Sequence, residues 1–173
     1  MHLFQLATVK KSEPYNIRFS LDSSALLMVS LARIIEDSTC TPSYWRIVND
    51  NRLPLEIGID TNTGKILCIT LFAKKNDFIQ TEALAAACPQ TKGDIIFDTS
   101  IFKKKWDFID VAGSLGIGIT NKQLFCSFMT SANYKQAFKN DRLCLFVNPN
   151  NCLSAFSISN MSKEETRLLH NLA

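Results

Sequence analysis

Histidine is almost absent from this chain: His2 and His170 are the two copies, at opposite ends of 173 residues. Histidine is the commonest acid–base group near neutral pH and the commonest metal ligand. A serine or cysteine triad would have to take its base from a terminus, where chains fray and a rigidly oriented base is hard to hold. A zinc site with several histidine ligands cannot be built. The six cysteines, Cys40, Cys68, Cys88, Cys126, Cys144 and Cys152, do not fill the gap, because no two stand at the C-x-x-C spacing of zinc and redox motifs.

Other signals are missing too. No apolar run approaches the ~18 residues of a membrane span. The opening MHLFQLATVKKSEP lacks the basic, apolar and small-residue order of a signal peptide. The expectation is a cytoplasmic protein with reduced thiols. Cys68, Cys126 and Cys144 lie in apolar alternating runs, where free cysteine behaves as a small hydrophobe. Gly113, Gly116 and Gly118 run into a β pattern and do not open a helix, so they make no dinucleotide fingerprint. Basic residues number 19 against 16 acidic, and the short runs Lys10-Lys11, Lys74-Lys75 and Lys103-Lys104-Lys105 each have an acid nearby. A nucleic-acid binder would concentrate its basic residues on one face. These absences predict no catalytic residues, no cofactor, no metal, no direct nucleic acid contact and no membrane association. The protein is expected to work by contact.

What is present suits one domain over residues 1–173, with 46% hydrophobic and 20% charged residues. A chain of this size buries roughly 70% of the surface its unfolded form exposes, so a core is available without disulfides. Three hairpins are legible. Leu55, Ile57 and Ile59 alternate with Glu56, Gly58 and Asp60, then Thr61-Asn62-Thr63-Gly64 supplies a turn and Leu67, Ile69 and Leu71 resume the pattern. Leu115, Ile117 and Ile119 lead through Asn121-Lys122 into a returning run from Gln123 to Met129. Leu143, Leu145 and Val147 lead through Asn148-Pro149-Asn150-Asn151 to Phe156 and Ile158. Residues 4–9, 44–48, 95–97 and 108–111 are also expected to be extended, being rich in β-branched and aromatic types.

Three helices are expected. Ser162-Lys163-Glu164-Glu165 is a capping box leading to Leu168, Leu169 and Leu172, with Arg167 and His170 at the negative end of the dipole. Residues 81–88 form a short helix ended by Pro89. Residues 23–37 fit either a helix capped by Asp22 or Ser23 or a strand, and helix is favoured. The fold class is α+β, mainly β: an antiparallel sheet or sandwich of hairpins with a few peripheral helices, one of them C-terminal.

Carboxylates are the remaining catalytic candidates. Asp94 and Asp98 flank one short strand, and Asp107 and Asp110 share another. Paired acids divide acid and base roles only when their surroundings push their pKa values apart, and between lysines they are expected to solvate strand ends. Trp45 is expected to pack in the core. Trp106, set between lysines and Asp107, is the better interface residue, since tryptophan is enriched at binding hot spots.

The stretches RLPLEIGIDTNTGKILCITLF at 52–72 and DRLCLFVNPNNCLSAFSISNMSKEETRLL at 141–169 resemble the immunity proteins of bacterial polymorphic-toxin and contact-dependent growth inhibition systems. The resemblance rests on a hairpin with an acidic turn and a glycine, and on a late hairpin followed by a serine-capped final helix. It implies a cytosolic protein that binds the C-terminal domain of a cognate toxin one to one, commonly a nuclease, and blocks its active site or substrate path. It carries no catalytic residues. Asp94, Asp98, Trp106, Asp107 and Asp110 are the expected partner contacts. Such proteins are often acidic when the toxin is a nuclease, because opposite charge speeds encounter, whereas this chain carries +3. Two other functions stay open: a structural or adaptor module of a secretion or phage assembly, and a carboxylate-dependent enzyme.

Overall fold

The computed structural model of the chain describes residues 5–10, 13–33, 41–49, 52–79, 88–104, 106–120, 122–128 and 133–172. In chain order the strands are β1 Leu6–Lys10, β2 Tyr15–Leu21, β3 Leu27–Arg33, β4 Ser43–Asn49, β5 Arg52–Ile59, β6 Ile66–Ala73, β7 Phe78–Ile79 and β8 Gln90–Lys92. They continue with β9 Asp94–Phe97, β10 Phe108–Ala112, β11 Gly116–Thr120, β12 Gln123–Ser127, β13 Gln136–Asn140, β14 Leu143–Val147 and β15 Leu153–Ile158. The helix α1, Lys163–His170, closes the order. The fold is α+β, mostly antiparallel hairpins with a C-terminal helix. No helix among the described residues is long and apolar enough to cross a membrane.

Two large sheets face each other. One has six strands in the order β10-β4-β5-β6-β3-β2, the other seven in the order β7-β11-β12-β15-β14-β13-β8. β1 and β9 form a separate antiparallel pair. One face of each large sheet supplies the core: Leu27, Val29 and Leu31 of β3, Ile69 and Leu71 of β6 and Trp45 of β4 meet Ile117, Leu124, Leu145 and Phe156. Trp45 is fully buried, its ring edge-on to Phe128 with centroids 5.8 Å apart. β14 and β15 are buried at every position. Phe125 and Phe146 pack with Tyr134 on the far side of their sheet. Burial on both faces explains why these strands read as nearly continuous apolar runs.

The three expected hairpins are present as β5–β6, β11–β12 and β14–β15. Gly64 in the first turn has φ of +70°, and its carbonyl accepts the Phe97 amide at 2.9 Å. A Cβ there would run into the Phe97 carbonyl and lie 2.8 Å from Ile96 Cγ2. Gly64→Ala is therefore strained twice, in its backbone and against β9. A loss of about 1–3 kcal/mol is expected in urea denaturation.

The C-terminal cap also holds. Ser162 Oγ accepts the Glu165 amide at 3.1 Å, and the Glu165 carboxylate accepts the Ser162 amide at 2.7 Å and Arg142 at 2.6 Å. Burial pushes the Glu165 carboxyl up, but the Arg142 and Ser162 bonds outweigh it and hold the group below its ordinary value. A depressed folded pKa means stability that is present above the unfolded value and lost as pH falls through the folded one. Ser162→Ala is expected to cost about 1 kcal/mol in urea denaturation near neutral pH. Glu165→Gln is expected to flatten the acid side of the stability profile.

Residues 81–87 of the expected 81–88 helix lie outside the described residues. The helix favoured over residues 23–37, of which 34–37 lie outside the described residues, is corrected: Leu27–Arg33 is strand β3, paired with β2 on one side and β6 on the other. Period two prevailed because Leu27, Val29, Leu31 and Arg33 all turn inward between two neighbours, while Met28 and Ala32 turn outward. Asp22 does cap, but it caps a hairpin turn. Its carboxylate accepts the Ser24 and Leu26 amides, each at 2.9 Å, beside Ala25 at φ of 57°.

Candidate interaction surface

The outer face of the six-stranded sheet carries the most distinctive side chains. The strand registers align one residue from each strand into a transverse row: Arg18, Ser30, Thr70, Glu56, Arg46 and Asp110. A second row runs Asn16, Ala32, Cys68, Gly58, Tyr44 and Phe108. The rows meet the sheet edge at β10, whose pairing with β4 is parallel.

At that edge the chemistry is concentrated. Tyr44 and Phe108 stack with centroids 5.4 Å apart and planes 9° from parallel. The Arg46 guanidinium lies 4.7 Å from the Phe108 centroid and grips Asp110 in a fork, Nε to Oδ1 at 2.7 Å and an Nη to Oδ2 at 2.9 Å. Glu56 stands on its other side at 3.8 Å. The Asp110 bonds raise the Arg46 pKa above its already high ordinary value. Bidentate pairing and stacking on an aromatic face are the contacts that suit arginine and not lysine. Gly58 gives the Tyr44 ring its room: a Cβ at 58 would stand 3.1 Å from that ring and 3.2 Å from Pro42. Phe108 remains 55% exposed and Trp106 64% exposed.

Trp106 sits on the loop before β10 with φ of 61°, an uncommon conformation for a bulky residue. Asp107 braces that loop. Its carboxylate accepts the Lys103 amide at 3.1 Å and the Phe108 amide at 3.2 Å, while its own amide donates to buried Ser43 Oγ at 3.1 Å.

The five residues expected to meet a partner thus divide. Trp106, Asp107 and Asp110 come together at the β10 edge. Asp98 is exposed at the other end of the β9–β10 loop, directly after β9, where its carboxylate accepts the Ser100 amide at 2.9 Å and that bond lowers its pKa. Asp94 faces the interior and does not join the surface. It is ion-paired with Arg33, and both side chains are 2% exposed. Burial raises the Asp94 carboxyl, with the Arg33 guanidinium pulling the other way. Proximity in sequence to Asp98 hid this, because Asp94 opens β9 inside the core while Asp98 follows its other end at the surface. Every one of the four acids is engaged within the chain.

Neither a family model nor a curated protein matches this chain. The surface must be read from its own residues.

Among the described residues no group of three or more histidine, cysteine, aspartate or glutamate side chains is placed to hold a metal. The described cysteines are free thiols. Burial pushes Cys126 up to about 12 and Cys144 up to about 11, and it also raises Cys68, so these thiols stay protonated near neutral pH. A shallow cleft of about 620 Å³ lies between the start of α1 and the outer side of β2 and β3, lined by Arg18, Ser20, Ser30 and Glu164. Another, of about 500 Å³, lies beside β8 and β13. Neither is lined by Asp94, Asp98, Trp106, Asp107 or Asp110. Tyr44, Arg46 and Phe108 escaped the sequence reading as site residues. Tyr44 and Phe108 signal only β propensity there, and the 64-position separation of Arg46 and Asp110 conceals the pairing.

Proposed function

We propose that this chain is an immunity protein that binds a cognate toxin domain one to one in the cytosol and neutralises it by covering its active site or substrate path. The observation that carries the protein-binding part is the cluster at the β10 edge, where exposed Phe108 and Trp106 stand beside half-buried Tyr44 and Arg46. Aromatic residues and arginine dominate binding energies at protein interfaces, and here they gather at one sheet edge and the loop that feeds it. The choice of a toxin as partner rests on the resemblance of 52–72 and 141–169 to immunity proteins.

The cluster also alters how the contact is pictured. Asp107 and Asp110 do not project a free acidic patch toward a basic nuclease, since backbone amides and Arg46 already hold them. The contact is aromatic at its centre. Co-expression with the toxin domain encoded immediately upstream tests the reading. Cells carrying both are expected to grow, and purified toxin is expected to elute with this chain as a one-to-one complex. Growth arrest despite abundant folded chain would sink it.

A further inference from the structure

Among the described residues β10 pairs only with β4, so it forms an edge of its sheet. Two flanking bonds show how its main chain is used. The Tyr44 amide donates to the Asp107 carbonyl at 2.8 Å, and the Gly113 amide donates to the Val48 carbonyl at 3.1 Å. Residues that face the neighbouring strand alternate along a ladder. Asp107, Ile109, Val111 and Gly113 therefore face β4, and Phe108, Asp110 and Ala112 turn their main-chain groups to the open side. The Phe108 amide leans on the Asp107 carboxylate at 3.2 Å. Among the described residues the amides of Asp110 and Ala112 and the carbonyls of all three residues are left along the edge, and all three residues are exposed.

Proteins commonly guard such an edge with a charge. The charge here is Asp110, and the Arg46 fork folds it back over its own sheet. The uncompensated charge nearby has the opposite sign. Lys103 and Lys104 are exposed, and neither makes an ion pair among the described residues. They precede exposed Trp106 on the loop that feeds β10.

From this we propose that β10 is the docking edge for an extended, acidic segment of a partner protein. The segment adds as a further strand beside Phe108–Ala112, with carboxylates toward Lys103 and Lys104 and an apolar side chain against Trp106 and Phe108. Main-chain bonds supply affinity in this mode and the side-chain contacts supply selectivity. The inference rests on the protein-binding reading above and names the chemistry of the partner's contact.

Selection of phage-displayed random decapeptides on the full chain tests it without the toxin. The selected peptides are expected to be rich in aspartate and glutamate alternating with apolar residues. Binding of the best synthetic decapeptide is expected to fall about tenfold or more in Lys103→Glu/Lys104→Glu and in Ala112→Pro. Proline suits position 112 because that amide points to the open side, so the ladder to β4 survives. Urea midpoints check that both variants fold, and the lysine variant stands alone should the proline one not. Selected peptides rich in lysine and arginine, no selection above the starting library, or binding that survives in the folded variants would overturn the proposal. So would a dimer of the chain alone that Ala112→Pro dissolves, because a second copy would then occupy the edge. Rescue from the toxin that persists in both variants overturns the edge and leaves the immunity reading standing. Acidic peptides on the edge without rescue do the reverse.

Discussion

Arg33→Met is expected to destabilise the fold by about 3–5 kcal/mol, because it leaves a buried carboxylate without its partner. The Arg33 side chain lies against Asp94, the Ile66 carbonyl, the Tyr15 hydroxyl at 2.7 Å and Glu13 at 3.4 Å. It thereby ties β3 to β2, β6 and β9. The Tyr15 ring stacks under the guanidinium with its centroid 4.5 Å away, and burial pushes the Tyr15 hydroxyl far above its ordinary pKa. With the arginine gone, burial and the Glu13 carboxylate push the folded pKa of Asp94 further up, opposed by the Ile95 amide that its carboxylate accepts at 3.1 Å. A raised folded pKa means the native state keeps a proton that the unfolded chain has released. The variant should therefore be most stable in acid and lose stability as pH rises from the ordinary carboxylate range through the folded value. Urea denaturation at about pH 5 and about pH 8 reads both the size and the sign. Arg33→Met/Asp94→Leu should recover most of the loss, since apolar replacement of a whole buried pair is often neutral or stabilising. A single variant within about 1 kcal/mol of the parent would show that the pair does not hold these strands together.

The largest functional effect is expected at Phe108 and Trp106. Truncating either to alanine should weaken the toxin complex by about 2 kcal/mol or more, roughly 30-fold in Kd, which is the scale of an interface hot spot. The same variants should barely move the urea midpoint, because both rings are more than half exposed in the free chain. That contrast separates a contact role from a packing role. Titration calorimetry on the complex, beside urea denaturation of the free variant, measures the two sides. A Phe108→Ala chain that binds as the parent does would remove the β10 edge from the interface. Arg46→Ala provides a further reading, since it frees Asp110 from its fork. An acidic partner segment should then bind more weakly than the loss of the arginine contact alone would produce.

Some of this architecture was legible in short windows of sequence. The turn 61–64 with its glycine, the Asn148-Pro149-Asn150-Asn151 corner and the Ser162–Glu165 box each act through neighbours a few residues away. Their chemistry is complete before the rest of the chain arrives. Alternation likewise marked β5, β6, β11, β12, β14 and β15, because period two is a property of the strand itself. Trp106 was marked as a surface residue by its charged neighbours, and it is exposed. By contrast, residues 23–37 fitted both periods, and the pairing of Leu27–Arg33 with β2 and β6 decided for the strand.

The amino-acid order by itself thus determined the hairpins, their turns, the final helix and its cap, since each rests on contacts between near neighbours. Only the tertiary structure decided which strands lie side by side, and with that the surface. Parallel pairing of β10 with β4 put Phe108 on Tyr44 and Asp110 in the Arg46 fork, and docking of β9 buried Asp94 against Arg33 from 61 residues away. A carboxylate is a free contact or an internal brace according to what long-range closure places beside it, and no local pattern encodes that neighbour.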